Sequence, residues 1–467
     1  MIPEDTIVAI STPPGRGGIG VVRLSGTQAI RILRVLVRLP EIETQRAALG
    51  EFADPQSGKS LDRVVVTCFR APHSYTGQDV VEISCHGAPV ILEYLVLCCV
   101  KEGARPAEPG EFTMRAFLNG RIDLAQAEAI RDLIDARTLF QARVAAQQME
   151  GSVARSLKPL KQGLAELIAL LEAGIDFGED DVPVSSWEDI LSRIADLEGQ
   201  LVPITKSFEY GRIIREGLSL AIGGRPNVGK SSLFNRLLNE DRAIVTEIPG
   251  TTRDLITETA SLDGIPLRLV DTAGIRETTG RVEKMGMEKS FQAIADSSLR
   301  LLVVDASEGW TEEDQALFTK IQPLGPMLIA CNKSDLPARI LPGSLPFLNG
   351  GIPHFDAQSP MAVPVVWTSA LTGEGVSVLR EKILSLAHPA RETDPESDFI
   401  TSLRHQQAVN ESLTALAKAR EAGGHCVPHE MLLLDLYDAL HALDSITGET
   451  AFDDLLGIIF SRFCVGK

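Results

Sequence analysis

The stretch GRPNVGKS, residues 224–231, constrains the fold of this chain more than any other feature. It follows the apolar segment LSLAIG and precedes the helix-forming segment SSLFNRLL. A glycine-rich turn between a strand and a helix places backbone N–H groups and the helix N-terminus around a phosphate. The stretch therefore predicts an α/β domain with a nucleotide phosphate site, in which Lys230 meets the β and γ phosphates and Ser231 holds Mg²⁺.

Three later motifs, each at the end of a predicted strand, complete the nucleotide site, and the second and third of them indicate that the base is guanine. DTAG at 271–274 can hold Mg²⁺ through a water on Asp271 and can meet the γ phosphate. NKSD at 332–335 supplies Asp335, whose carboxylate can accept two hydrogen bonds from the N1–H and exocyclic amine of guanine. Adenine offers no such pair of donors. SAL at 369–371 can contact the guanine O6 through a backbone N–H.

Together the four motifs resemble those of the GTPase superfamily, in the order in which its members carry them. The resemblance implies GTP as the substrate and Mg²⁺ as a cofactor. The candidate GTP-binding residues are Gly224, Asn227, Val228, Gly229, Lys230, Ser231, Ser232, Thr246, Thr251, Thr252, Asp271, Thr272, Ala273, Gly274, Asn332, Lys333, Asp335, Ser369, Ala370 and Leu371.

The stretch GTTRD, residues 250–254, resembles one branch of that superfamily, which includes the Era, Der and TrmE-type proteins. The resemblance implies Thr252 as a second Mg²⁺ ligand beside Ser231. In this branch an asparagine in the phosphate loop accompanies a bound K⁺, which takes the place of an arginine finger. The implied K⁺ ligands are Asn227, Thr246, Ile248 and Thr251, partly through backbone carbonyls. Alternatively, Asn227 only shapes the loop.

The flanking segments identify the family more closely. They are GRGGIGVVRLSG, PHSYTGQDVVEISCHG, PGEFTMRAFLNGRIDLAQAEAIRDLIDA, GIDFGEDDV and the terminal CVGK. Together they resemble the MnmE (TrmE) family of tRNA-modification GTPases, in order and over the whole chain. The resemblance implies a homodimer that forms a heterotetramer with the FAD-dependent partner MnmG. With tRNA rather than DNA as substrate, the complex would add an aminomethyl or carboxymethylaminomethyl group to C5 of the wobble uridine.

The same resemblance assigns residues to GTP hydrolysis. Ras-type GTPases carry a glutamine directly after DxxG to orient the attacking water, whereas this chain has Ile275, which cannot hydrogen-bond water. Glu283 matches the catalytic glutamate of the family. Alternatively, Glu283 is an acid near a helix N-terminus that complements the helix dipole. Lys230 and Thr252 complete the implied catalytic set.

The resemblance also implies that the N-terminal domain binds a one-carbon donor, 5-formyl- or 5,10-methylene-tetrahydrofolate. Arg23, Glu82 and Arg121 match the folate-contacting positions of the family, together with the terminal Lys467. A glutamate can pair with the N–H edge of the pterin, and basic side chains can meet the carboxylate tail. Position 121 is commonly lysine in the family, so Arg121 departs from the pattern.

The end of the chain carries a thiol, Cys464, that has two interpretations. Ile459, Phe460, Phe463 and Cys464 fall on one helical face, which predicts a small core residue. Alternatively, the tail folds back to the folate pocket, with Lys467 beside the donor and Cys464 facing the substrate of tRNA modification.

The pattern along the chain predicts a multidomain α+β protein. A length of 467 residues is too great for one core. Residues 1–118 read as an N-terminal α+β domain for folate binding and dimerisation. Residues 119–216 and 388–467 read as two parts of an all-helical domain. Residues 217–387 read as an inserted Ras-like α/β P-loop G domain, in which 337–363 form a surface insertion.

Composition excludes several other classes of protein. A net charge of −18 argues against a generic nucleic-acid binder, and no apolar run reaches the roughly 18 residues of a membrane span. The N-terminus lacks the basic region of a signal peptide, and the seven cysteines include no CxxC pair, so we expect a cytoplasmic protein.

Two further motifs are rejected. GRGGIG at 15–20 fits a dinucleotide fingerprint, but the residues after it alternate like a strand, so we expect a turn between strands. His425, Cys426 and His429 have no second ligand pair at zinc-finger spacing.

Two alternative functions differ in class from the first. A ribosome-assembly GTPase of the Era/Der type would be a binding switch, and it would be expected to bring a basic RNA-binding module that the sequence does not display. A purely structural dimer scaffold would not need intact nucleotide motifs.

Overall fold

The computed structural model describes residues 4–40, 42–176, 186–239, 256–271, 294–340, 363–387, 400–425, 427–450 and 453–466. The chain divides into two compact units. The first comprises Met1–Arg131, Ala146–Ile194 and Thr414–Lys467, and the second comprises Asp132–Ala145 and Ala195–Leu413.

The first unit contains a seven-stranded sheet near the N-terminus. Its strands are β1 (Ile7–Ile10), β2 (Gly17–Ser25), β3 (Val37–Arg38), β4 (Ala47–Ala53), β5 (Ser60–Phe69), β6 (Val80–Gly87) and β7 (Arg105–Pro106). Their order is β3-β4-β5-β6-β2-β1-β7, and only the β1–β7 pair is parallel. Buried and exposed residues alternate along β5, as an antiparallel sheet covered on one face requires. The helices of this region are α1 (Ala29–Leu36), α2 (Pro89–Lys101) and α3 (Glu111–Leu118).

In sequence, TIVAIS, GVVRLS, RVVVTCF and DVVEISC have the pattern of strands, and PVILEYLVLCCVKEG has that of a helix. The structure confirms these predictions, with the four strands as β1, β2, β5 and β6 and the helix as α2. The prediction that GRGGIG lies in a turn is wrong for its last four residues, because β2 already begins at Gly17. A Cβ at Gly87 would lie 2.6 Å from the Gly17 carbonyl oxygen, so the glycines serve a close approach of β2 and β6. β2 then continues to Ser25, where a dinucleotide site would need a helix.

The helices outside the two sheets flank the nucleotide motifs in sequence, as predicted. They are α4 (Leu124–Asp135), α5 (Leu139–Met149), α6 (Ser152–Asp176) and α7 (Trp187–Glu216) before the motifs. After the motifs come the three C-terminal helices, with bounds Leu403–Gly424, His429–Thr447 and Asp453–Phe460. The last of these packs against α4 through an apolar cluster that includes Leu124, Ile459, Phe460 and Phe463.

The second unit contains a six-stranded sheet in which β9 is antiparallel to β10 and the other neighbours are parallel. Its strands are β8 (Leu218–Gly223), β9 (Ile256–Leu262), β10 (Ile265–Asp271), β11 (Leu299–Asp305), β12 (Met327–Asn332) and β13 (Val365–Trp367), in the order β13-β12-β11-β8-β10-β9. Its helices are α8 (Lys230–Asn239), α9 (Glu312–Ile321) and α10 (Val376–Ala387). The three C-terminal helices given above are therefore α11 (Leu403–Gly424), α12 (His429–Thr447) and α13 (Asp453–Phe460). Every residue of β11 is buried, as expected for a central parallel strand covered on both faces.

The predicted fold class is confirmed, since helices and two separate sheets occur in the predicted order. The three boundaries between the four predicted segments stay a prediction, because the two compact units divide the helical segments differently. Most of the predicted insertion at 337–363 lies outside the described residues. Within the described residues, no helix is long and apolar enough to cross a bilayer.

Candidate functional site

The phosphate loop joins the end of β8 to the start of α8, as the sequence predicts. Asn227 and Gly229 have φ values of 64° and 91°, in the left-handed region. A short polar side chain such as asparagine tolerates that conformation. At Gly229 a Cβ would lie 2.3 Å from Nδ2 of Asn332, so only glycine fits there. The backbone is therefore held in a tight turn that leaves Asn227 exposed.

Lys230 begins α8 and lies against this turn. Its Nζ donates hydrogen bonds to the carbonyl oxygens of Gly224, at 2.8 Å, and Arg225, at 2.7 Å. Ser231 and Ser232 lie in the first turn of the helix, and both are exposed. A cation and two hydroxyls at a helix N-terminus are the groups that bind nucleotide phosphates and Mg²⁺. The described part of the loop therefore fits both.

Asn332, at the end of β12, joins the phosphate loop to the two predicted base-binding motifs. The residue is 1% exposed. Its Nδ2 donates to the carbonyl oxygen of Val228 at 2.8 Å, and its Oδ1 accepts from the backbone N–H of Ala370 at 3.0 Å. The Ser369 hydroxyl donates to Oδ1 of Asp335 at 2.5 Å. NKSD and SAL are thus neighbours, while Leu371 is 81% exposed.

Lys333 is held by a residue that the sequence analysis missed. Its φ is 64°, and its Nζ lies 2.5 Å from Oδ2 of Asp305, the last residue of β11. Burial acts to raise the pKa of Asp305, but hydrogen bonds from Lys333 and Ser307 outweigh it and leave that pKa below its usual value. The carboxylate is therefore charged near neutral pH. The sequence feature that could have identified Asp305 is an aspartate at the end of an apolar, buried strand.

We expect Asn332→Ala to weaken GDP binding at least about ten-fold. The variant leaves the Val228 carbonyl and the Ala370 N–H without their partner, which costs roughly 1–3 kcal/mol of folding free energy for each unsatisfied group. Titration with a fluorescent GDP and denaturant unfolding measure the two effects. Ser334→Ala is the matched control, because the buried Ser334 hydroxyl has no hydrogen-bond partner among the described residues. Equal GDP affinity in the two variants would contradict the linking role of Asn332.

Several predicted residues lie outside the described residues, and their roles stay predictions. They are Thr246, Ile248, Thr251, Thr252, Thr272, Ala273, Gly274, Glu283 and Lys467. Cys426, of the rejected zinc motif, lies outside them too. Asp271 is the last residue of β10, which places its backbone at the same sheet edge as the ends of β8 and β12.

A second group of predicted residues meets on the N-terminal sheet. Arg23 on β2 lies directly opposite Glu82 on β6, and the two side chains form an ion pair at 2.8 Å. Both remain partly exposed, at 21% and 31%. The guanidinium of Arg23 lies 5.9 Å from the ring centre of Tyr75, an aromatic contact that the sequence analysis missed. An acid, a base and a partly exposed ring fit the N–H edge, carboxylates and ring of a folate.

Among the described residues, no hydrogen bond or ion pair joins Arg121 to that pair. It is exposed, and a Cβ at Gly77 would lie 3.4 Å from its Cγ. Gly77 lies two residues after Tyr75, so Arg121 adjoins the same loop. Its contribution to a folate site stays a prediction.

The C-terminal tail reaches the Arg23–Glu82 pair. The Gly466 carbonyl oxygen accepts a hydrogen bond from the Ser11 hydroxyl at 3.1 Å and one from Nη1 of Arg23 at 3.5 Å. Gly466 has a φ of 95°, and a Cβ there would lie 2.4 Å from the Ile10 carbonyl oxygen. Glycine is therefore required for the tail to lie this close to β1.

Cys464 is exposed, so the interpretation as a core residue is wrong. Ile459, Phe460 and Phe463 are buried as expected. The helix ends at Phe460, however, so the helical periodicity no longer applies at position 464. Instead the Cys464 carbonyl accepts from the Gly110 N–H at 3.3 Å, and Val465 forms a bridge with Pro109. These contacts leave the thiol facing outward.

Comparison with known proteins gives family matches over both units. Residues 6–121 match the model of the GTP-binding protein TrmE N-terminus, and residues 124–464 match the model of the MnmE helical domain. The chain is 54% identical to the tRNA modification GTPase MnmE of Koribacter versatilis, over 99% of each chain. It is 42% identical to the protein of the same name from Aquifex aeolicus, over 99% of this chain and 100% of that one.

A weaker likeness exists among solved structures. The crystal structure of the G domain of the T. maritima FeoB iron transporter is 27% identical, over 37% of this chain and 99% of that chain, with a TM-score of 0.27. That score is too low to support an argument about this chain.

Proposed function

This chain belongs to the MnmE family of tRNA modification GTPases, and we propose that its GTP hydrolysis requires K⁺ and serves a folate-dependent modification of the wobble uridine. That the chain is a GTP-hydrolysing enzyme of tRNA modification follows from the family. The proposed reaction adds an aminomethyl or carboxymethylaminomethyl group to C5 of the uridine, together with MnmG. The proposal places the enzyme in the cytoplasm, as a homodimer within a heterotetramer.

The proposed role in uridine modification rests on the position of the C-terminal tail. The Gly466 carbonyl contacts Arg23, which pairs with Glu82, while Cys464 two residues earlier is exposed. The tail therefore connects an exposed cysteine to the ion pair that we propose for folate binding, within the chain's first unit. When bound, the folate would supply a one-carbon unit, Glu82 would meet the N–H edge of its pterin, and Arg23 would meet its acidic tail.

The described residues of the G domain support the proposed binding and hydrolysis of GTP. Lys230 and Ser231 would hold the phosphates and Mg²⁺, with Asp271 reaching Mg²⁺ through water and Thr252 as its second ligand. Asn227 would supply one K⁺ ligand from the loop, with Thr246, Ile248 and Thr251 as the others. Mg²⁺ and K⁺ would both neutralise charge that develops on the phosphates.

The proposed function is tested by mass spectrometry of wobble uridines from a deletion strain. We expect the C5-modified uridine to disappear and to return when the gene is restored. An Arg23→Leu/Glu82→Leu variant removes both charges, so it leaves neither member of the pair as an unpaired charge on the sheet. When this variant is expressed in the deletion strain, it should hydrolyse GTP but should not restore the modified uridine. Normal modification in the deletion strain would contradict the proposal, and it would revive the ribosome-assembly alternative.

Glu283→Ala should lower kcat for GTP by at least about 10²-fold with little change in GTP affinity. Ile275 cannot orient the attacking water, so the proposal gives that role to the glutamate. Single-turnover hydrolysis and binding of a non-hydrolysable GTP analogue measure the two quantities. Glu283→Gln is the informative companion, because it keeps a hydrogen-bonding group and loses the charge. An unchanged kcat in Glu283→Ala would leave the glutamate with only a structural role at a helix N-terminus.

A further inference from the structure

Arg225 belongs to the phosphate loop, but its side chain points away from it toward α9. Its Nε donates to Oδ1 of Asp314 at 2.9 Å, and its Nη1 donates to Oε2 of Glu308 at 3.1 Å. The Asp314 side chain is fully buried, and that of Arg225 is 16% exposed. The loop therefore carries a largely buried ion pair that connects it to the start of α9.

Asp314 is a rigid anchor because its second oxygen is already bound. Oδ2 accepts hydrogen bonds from the backbone N–H and the hydroxyl of Thr311, at 3.1 Å and 2.8 Å. The Thr311 hydroxyl in turn accepts from the Asp314 N–H, which completes a capping box at the start of α9. The carboxylate therefore cannot rotate without loss of the helix cap, and it presents Oδ1 to Arg225 in a fixed place.

The backbone of Arg225 holds the lysine that meets the phosphates. The Arg225 carbonyl accepts a hydrogen bond from Nζ of Lys230 at 2.7 Å. The side chain of Arg225 thus fixes the peptide unit that sets where this ammonium lies. The same connection, residues 305–314, begins with Asp305, which holds Lys333 of the base motif. One segment of about ten residues is therefore bonded to both the phosphate-binding and base-binding parts of the site.

We propose that Arg225 is a positioning residue for GTP, which acts through the phosphate loop and Lys230 and is anchored by Asp314. The connection from 305 to 314 then sets the spacing between the phosphate loop and Lys333. A lysine would not replace Arg225, because a single ammonium cannot present two donors in the fixed fork that reaches both carboxylates. The inference needs GTP hydrolysis only, and it is independent of the K⁺, folate and tRNA chemistry proposed above.

The test separates positioning from stability with two variants of the full-length chain. Arg225→Met leaves the Asp314 carboxylate buried without a cationic partner, so we expect it to lower the unfolding temperature as well as activity. The double variant Arg225→Met/Asp314→Asn removes that charge, while the amide oxygen still accepts from Thr311. We expect the double variant to unfold within a few degrees of the parent and yet to show a KM for GTP raised by about ten-fold. Its kcat per active site should also fall.

Separate measurement of KM and kcat for GTP distinguishes a positioning role from a merely structural one. A merely structural role would reduce the fraction of active enzyme, which lowers the apparent kcat and leaves KM unchanged. Glu313→Gln, which neutralises an exposed acid in the same first turn of α9, is the matched control, and its KM should stay within about two-fold of the parent. A stable double variant with the KM of the parent would overturn the proposal.

Discussion

GTP turnover should fall by roughly 10²-fold when Na⁺ replaces K⁺ at the same ionic strength, while GDP affinity stays nearly constant. An arginine finger contributes about 10³ to 10⁵ in kcat where GTPases use one, so a cation in its place supplies a large part of the catalysis. In the proposed site, residues 243–254, which the sequence predicts as switch I, would close over the nucleotide to complete the K⁺ shell. Two G domains would then meet across their nucleotides in the transition state. GDP would bind before that closure, so its affinity should not depend on K⁺.

The geometry at Asn227 gives this prediction a sharp control. The residue has a φ of 64°, so asparagine there serves either the backbone turn or the cation. Asn227→Gly keeps the left-handed backbone, since glycine adopts it without strain, and removes the side-chain oxygen. We expect Asn227→Gly to bind GDP like the parent and to lose its stimulation by K⁺. Full stimulation in that variant, or equal turnover of the parent in both salts, would contradict a K⁺ ligand at this position.

The sequence predicts the G domain well because its motifs join local structure to chemistry. GRPNVGKS must follow a strand and open a helix, and the structure places it between β8 and α8. NKSD and SAL each follow a strand of the same parallel sheet, so their meeting at one edge follows from the order of β12 and β13. For such motifs the position in the fold is part of the pattern.

The contacts that support those motifs are not predictable in the same way. Arg225 with Asp314 and Lys333 with Asp305 join residues far apart in the sequence, and nothing in the local sequence pairs them. The N-terminal strands β4 and β7 were missed for a related reason. β4 reads AALGEFA, which is weakly β-forming, and β7 has two residues and exists only because β1 pairs with it. Tertiary pairing decides these elements.

In the C-terminal tail, helical periodicity no longer predicts which side chains are buried. The spacing of Ile459, Phe460 and Phe463 correctly predicts a buried face, and extending it to Cys464 predicts a buried thiol. The helix ends at Phe460, and the following residues bond to Pro109, Gly110, Ser11 and Arg23 instead. A change of partner rather than a change of hydrophobicity therefore exposes the thiol.

Cys464→Ser should abolish most of the wobble-uridine modification, by at least about ten-fold, and leave K⁺-stimulated GTP hydrolysis intact. Serine keeps the size of the side chain and the tail contacts, which use backbone atoms of 464–466, but it is a far weaker nucleophile than a thiol. Because Cys464 is exposed, the exchange creates no cavity and should not change the unfolding temperature. Mass spectrometry of tRNA from a complemented deletion strain and a GTPase assay on the purified variant measure the two outcomes.

Two further variants of the tail distinguish a chemical role of the Cys464 thiol from a role of the tail contacts around it. Gly466→Ala keeps Cys464, but its Cβ would collide with the Ile10 carbonyl oxygen at 2.4 Å, so the tail should leave Arg23 and modification should fall. Removal of Gly466 and Lys467 deletes the end of the tail and likewise keeps the thiol. If modification survives in Cys464→Ser but fails in both of these variants, the thiol has no chemical role. The tail then acts through the carbonyl at Arg23 and the terminal lysine, and the proposed function loses its nucleophile but keeps its folate site.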